Sequence, residues 1–206
     1  MIEIIDNYAS EDLYNQLLVE NLYYGKVHWI GIRAEPENVL HDLVHEVYRS
    51  NVEQEDITGA TAWYNIRPKN PKMHNDIDSY STQKGIAYRP EVLPERTFLY
   101  YLKSPKSGGQ LAIYTRASFV RAGQDILWND EYDSEIDTIS AIVNRLVSMP
   151  ADVTHRVLPY TGNRVSIGMI FWVDLPKIYP EADPNVNDVY DRIWEVEDSE
   201  QIALYV

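Results

Sequence analysis

From residue 60 onward the pattern changes to short apolar stretches: TAWYNIR, RTFLYYLK, QLAIYT, NRLVSMP, THRVLPY and RVSIGMIFWVDL. Turn-forming pieces such as SPKSGG and YTGN separate them. Runs of this length that are rich in β-branched and aromatic residues and bounded by Gly and Pro read as strands. Such strands cannot bury an apolar face alone, so they must pair into a sandwich, a barrel or a jelly roll. The two-residue period also assigns faces: on RTFLYYLK, Thr97, Leu99 and Tyr101 share one side and Tyr100 points to the other. The 16 Tyr and 5 Trp fit that β-rich setting.

The first quarter is mixed. A short apolar run at 2–6 precedes Ser10, a plausible N-cap for the helix in EDLYNQLLVENLYY, where Leu13, Leu17, Leu18 and Leu22 follow helical spacing. VHWIGIRA at 27–34 reads as a strand, and PENVLHDLVHEVYRS at 36–50 as a second helix with Pro36 near its start. Two connections, at 78–95 and 117–138, are long enough to be read as functional loops. The expectation is a single domain over 1–206: supporting helices and outer strands at 1–55, a jelly-roll core at 60–175, and a C-terminal extension at 176–206.

A formal net charge of −14 argues against nucleic acid as the main partner, because a phosphate backbone would be repelled over most of the surface. The chain has no cysteine, so disulfides and thiol catalysis are excluded and any metal must be held by His, Asp or Glu. No stretch approaches the roughly 20 apolar residues needed to span a bilayer, and the N-terminus lacks a basic region followed by an apolar run. The expected location is cytoplasmic, with no membrane partner and an oligomeric state left open.

Two groupings of histidines bear on chemistry. His41 and His45 in HDLVH lie four apart on one helix face, but Asp stands where a zinc protease places its Glu and no third ligand follows. The second grouping joins His74 and Asp76, in KMHNDIDSY, to His155. Residues two apart on a strand share a face, and two histidines with one carboxylate form the facial triad of non-haem iron(II) oxygenases. Asp78 is a competitor of Asp76 for that role. Arg164 follows His155 by nine residues, across the turn PYTGN, and a guanidinium there suits bidentate pairing with a carboxylate. Ser166 shares its face.

The lines WYNIRPKNPKMHND, RTFLYYLKSPKSGGQLAIY and NRLVSMPADVTHRVLPYTGNRVSIGMIFW together resemble the iron(II)- and 2-oxoglutarate-dependent oxygenases, in their prolyl-4-hydroxylase-like branch. The resemblance spans about 60–173, just over half the chain, and the N-terminal helices share only the character of the family's supporting helices. It implies a double-stranded β-helix, a jelly roll whose open end holds the metal. It makes His74, Asp76 and His155 the iron ligands and catalytic centre, and Arg164 the partner of the distal carboxylate of 2-oxoglutarate. Tyr64, ten positions before His74, and Tyr101 match two tyrosines that line the co-substrate pocket; as residues alone, both fit a plain aromatic core equally. Gly108 and Gly109 match a paired glycine at a tight connection, while Gln110 stands where an acidic residue is common.

The implied reaction consumes O2 and 2-oxoglutarate, releases succinate and CO2, and hydroxylates a substrate. A carboxylate at 76 favours hydroxylation over halogenation. The scaffold suggests a peptidyl proline or another protein side chain, with a small molecule as the alternative; Arg67, Lys69 and Lys72 in RPKNPK would attract an acidic substrate or simply form a solvated loop. Two other classes fit the same residues. A non-enzymatic jelly-roll module that keeps a metal predicts no oxygen-dependent turnover, and a protein in which the triad never assembles predicts no stoichiometric iron.

Overall fold

The alternating stretches become strands, and their phase builds two cores on opposite sides of one sheet. The computed structural model describes residues 1–20, 26–52, 56–65, 96–114, 120–122, 125–127, 136–151, 153–172 and 187–191. The N-terminal part contributes β1 (Glu3–Asp6), α1 (Glu11–Val19), β2 (Lys26–Gly31) and α2 (Val39–Val47), the last continued by a π-helical turn over Tyr48–Val52. The central strands are β3 (Gly59–Asn65), β4 (Arg96–Lys103), β5 (Ser107–Gly108) and β6 (Leu111–Tyr114). Then come β7 (Val120–Ala122), β8 (Asp125–Leu127), β9 (Ile136–Ile139) and β10 (Arg145–Pro150). The remainder is β11 (Thr154–Val157), β12 (Tyr160–Thr161), β13 (Val165–Trp172) and β14 (Asn187–Asp191).

The large sheet has the order β1-β10-β4-β13-β3-β2-β14, and every pairing in it is antiparallel. A smaller sheet, β11-β6-β9, faces it, and β12-β5 and β7-β8 are two further antiparallel pairs. One face of the large sheet is covered by the helices. Tyr64, Tyr100, Leu102, Leu146, Ile167 and Met169 pack there against Leu13 and Leu17 of α1 and Leu40, Leu43 and Val47 of α2. Each Leu so buried contributes about 1.5–3 kcal/mol of transfer free energy. On the other face Leu99, Tyr101, Val147 and Met149 meet Leu111, Ile113 and Ile139 of the small sheet. Two antiparallel sheets closed over a shared apolar interior, with helices backing one of them, make a mainly β jelly roll.

Local signals explain the helices. Ser10 Oγ accepts from the Leu13 amide at 3.2 Å, capping α1. α2 starts later than its Pro36 suggests, because Asn38 takes the cap and accepts from the His41 amide at 3.1 Å. The stretch 117–138 is not one open loop: it carries the β7–β8 hairpin and the beginning of β9. Among the described residues no helix is long and apolar enough to cross a membrane. The loop 78–95, RPKNPK and the acidic C-terminal stretch lie outside the described residues.

Candidate active site

Arg164 stands immediately before β13 and is 3% exposed, inside the space between the two sheets. A guanidinium in that position must be held by acceptors or by charge, since taking it out of water costs several kcal/mol. Its Nε donates to Gly109 O at 3.3 Å and one terminal nitrogen, Nη1, to Ser166 Oγ at 3.0 Å. Its Cζ lies over the Tyr101 ring, 5.1 Å from the centroid, and over the Tyr160 ring at 6.0 Å. What is left over is a donor set: Nη2 of Arg164 and the Tyr101 hydroxyl are buried and make no well-formed hydrogen bond among the described residues, although the guanidinium stands near enough to act on the phenol by polar contact as well as by charge. Burial pushes the Tyr101 phenol up, and the positive charge of Arg164 opposes that. The hydroxyl therefore keeps its proton and adds to the donors.

The backbone around the guanidinium is built to admit it. Gly108 and Gly109 have φ of 70° and 74°, the left-handed region that glycine adopts without strain. A Cβ on Gly109 would sit 2.8 Å from Pro105 Cγ and 3.2 Å from both Arg164 Cδ and Tyr160 Cβ. The register of β13 against β4 slips by one between Val165 and Ser166, where a bulge re-aims side chains at the end of the strand. Ser166 then lies between Asn65 and Tyr101 in one row across three strands.

His155 is buried on β11, opposite Ile113 of β6, which packs in the same interior cluster as Tyr101. Its Nδ1 lies 2.9 Å from Val153 O. A carbonyl only accepts, so Nδ1 carries a proton, and in the neutral ring Nε2 would keep the lone pair that ligates a metal. His74 and Asp76 lie outside the described residues, as does Asp78. Among the described residues no three His, Asp or Glu side chains group around a point that would hold a metal.

Tyr64 is not beside Arg164. It occupies the row of Ile167 and Tyr100, on the helix-facing side of the sheet, and its hydroxyl donates to Glu20 Oε2 at 2.5 Å. Burial and that carboxylate push its phenol far up. The reason is the strand period: counting back from His74 fixes a distance along the chain, whereas the phase of β3 is fixed by packing. The Trp63 indole lies so close over Gly168 that a Cβ there would be 2.5 Å from it, and this turns Trp63 and Asn65 toward the interior. Trp63 Nε1 donates to Asn65 Oδ1 at 3.1 Å. Asn65, in the row of Ser166, and Tyr160, over whose ring the Arg164 Cζ lies, are the partly buried neighbours that sequence reasoning passed over. The signals were Gly168, which marks the strand face a large ring covers, and the turn tyrosine in PYTGN.

His41 and His45 turn inward under α2, where the His41 ring meets His28 of β2 edge to face at 6.0 Å. Burial lowers all three imidazoles, His28 to about 4. They belong to the helix–sheet seam, on the far side of the sheet from Arg164.

No family model and no curated protein matches the sequence. Solved structures do match the fold. The prolyl-4-hydroxylase of Pseudomonas putida superposes with a TM-score of 0.54 at 14% identity, covering 83% of this chain and 91% of that one. The viral collagen prolyl hydroxylase of Paramecium bursaria Chlorella virus-1, solved with 2-oxoglutarate, gives 0.53 at 13% identity, covering 84% and 96%. A prolyl 4-hydroxylase of Phytophthora capsici gives 0.51 at 17%, covering 83% of this chain and 58% of that one. The chain thus has the fold of the prolyl 4-hydroxylases, a jelly roll with helices packed against its larger sheet.

Proposed function

We propose that the protein is an iron(II)- and 2-oxoglutarate-dependent oxygenase that hydroxylates a peptide side chain. The observation that carries this reading is the buried Arg164 with its leftover donors, Nη2 and the Tyr101 hydroxyl, in the interior that His155 shares. A buried cation with no carboxylate partner among the described residues fits an anionic ligand that brings its own carboxylate. The donors fit the distal carboxylate of 2-oxoglutarate, and the His155 tautomer fits a metal. His74, Asp76 and His155 would hold the iron, which when bound supplies the activation of dioxygen that the side chains lack.

This chain's own residues do the positioning. Ser166 and Gly109 O fix the guanidinium plane, so that its remaining edge meets a carboxylate as a fork. Tyr101 adds a neutral donor from the sheet floor. The apolar walls of Leu99, Leu111, Ile113 and Met149 keep water from the co-substrate chain and strengthen each charged contact. The peptide class of substrate rests on the prolyl hydroxylases that share the fold.

Anaerobic titration of metal-free protein with iron(II) and 2-oxoglutarate tests the reading by the visible charge-transfer band of the chelate. A band that is lost in His155→Ala, and that requires at least tenfold more 2-oxoglutarate in Arg164→Ala, is the expected result. Folded protein that binds iron yet gives no band would overturn it. A peptide library scored for mass increase by one oxygen then tests the substrate class.

A further inference from the structure

Arg164 is gripped from two sides, and only one side belongs to the sheet. Tyr101 comes from β4 and is fully buried, whereas Tyr160 comes from β12 and is only partly buried. β12 and β5 form a short strap held by many bonds for its length. Lys106 N donates to Thr161 O at 2.8 Å, Gly109 N to Pro159 O at 3.2 Å and Leu158 N to Gln110 O at 2.9 Å. The hydroxyls of Ser107 and Thr161 add a contact at 2.7 Å. Gly108 and Gly162 permit the approach: a Cβ on Gly108 would clash with Pro159 O, and one on Gly162 would be 2.9 Å from Lys106 Cβ. Gly109 is where the parts converge, because a Cβ there would strike both the Arg164 stem and the base of Tyr160.

Those contacts divide the labour on the guanidinium. Nε and Nη1 hydrogen bonds fix the guanidinium along one edge, and its Cζ lies over two tyrosine rings. The charge of Arg164 in turn pulls the Tyr160 phenol down against the upward push of burial, so the two groups feel one another. One of those rings is anchored in the core and the other on a hydrogen-bonded strap, so two separate elements meet at the guanidinium.

We infer that Tyr160 is a positioning residue for the distal carboxylate of the co-substrate: its ring closes the outer face of Arg164 and holds the fork in the plane that a five-carbon 2-oxo diacid needs. This rests on the oxygenase reading above. The role belongs to the ring and not to the hydroxyl, and it concerns only the end of the ligand that carries the second carboxylate.

Calorimetric titration of the manganese(II)-loaded protein without oxygen tests it with two ligands: 2-oxoglutarate, and 2-oxopentanoate, which has the same chain length but no distal carboxylate. Tyr160→Phe is expected to bind 2-oxoglutarate within about twofold of the wild type. Tyr160→Leu is expected to bind it about five- to tenfold more weakly, with 2-oxopentanoate and manganese affinity unchanged. A loss of affinity for both ligands in Tyr160→Leu would show a merely structural role and overturn the inference. So would equal 2-oxoglutarate affinity in Tyr160→Leu and wild type, or a Phe variant as weak as the Leu variant. Tyr160→Gln provides the same comparison should Tyr160→Leu not fold. Wild-type protein that ignores 2-oxoglutarate would instead sink the oxygenase reading.

Discussion

At the scale of single residues, the site depends on where a side chain is missing as much as on where one is present. Gly109 has φ of 74° and no room for a Cβ beside Pro105, Arg164 and Tyr160. Gly109→Val is therefore expected to destabilise by about 1–3 kcal/mol in urea unfolding. It should also weaken 2-oxoglutarate binding at least tenfold, because Arg164 must shift; unchanged binding would show that the Gly109 slot is not needed. The face of Tyr101 was legible from its phase on RTFLYYLK, and the structure sets its ring against Arg164, the residue nine positions after His155. Tyr64 was not, because adjacent residues on a strand face opposite ways and a one-position offset exchanges the pocket for the helix seam. Asn65, its neighbour, took the interior row.

At the scale of elements, the long central strands of the large sheet were readable because each is an apolar run of eight residues bounded by turns and buried almost throughout, as β4 and β13 are, whereas β14 was read only as part of a C-terminal extension. β9 and the β7–β8 hairpin were not, since three or four residues among acidic neighbours give no period to count. Nor does the sequence reveal Asn144, which ties three elements together. It adopts φ of 58°, accepts from the Ala9 amide at 2.8 Å and the Tyr100 hydroxyl at 3.0 Å, and donates to Ala9 O at 2.9 Å. Its backbone amide also donates to Tyr101 O at 2.8 Å. Asn144→Ala is expected to cost about 2–4 kcal/mol in chemical denaturation, from lost side-chain bonds and a left-handed backbone that alanine disfavours. A loss under 1 kcal/mol would show that the link between β1, α1 and β4 is dispensable.

At the scale of the whole molecule, the seam between helices and sheet sets a pH limit. His28, His41 and His45 are buried there in the neutral form, with Glu35, Glu37, Asp42 and Arg49 as the nearby charges. Their folded values lie below the ordinary imidazole value of about 6.5, so below that pH the unfolded chain binds more protons than the folded one. Stability is full above about 6.5 and is lost as pH falls toward about 4, where His28 titrates in the fold. Each tenfold loss of proton affinity costs about 1.4 kcal/mol, so His28 alone costs about 3 kcal/mol at the acid end. The unfolding temperature should drop from pH 7 to pH 5, less steeply in His28→Gln; parallel curves would assign the drop to other groups. The order of the large sheet has its own consequence, for the time course of assembly. β1 pairs β10, and β2 pairs β14, across more than a hundred residues of chain in each case. A ribosome must release residues 187–191 before β2 gains its outer neighbour, so the sheet closes late, and loop closure over such separations places folding in the millisecond-to-second range.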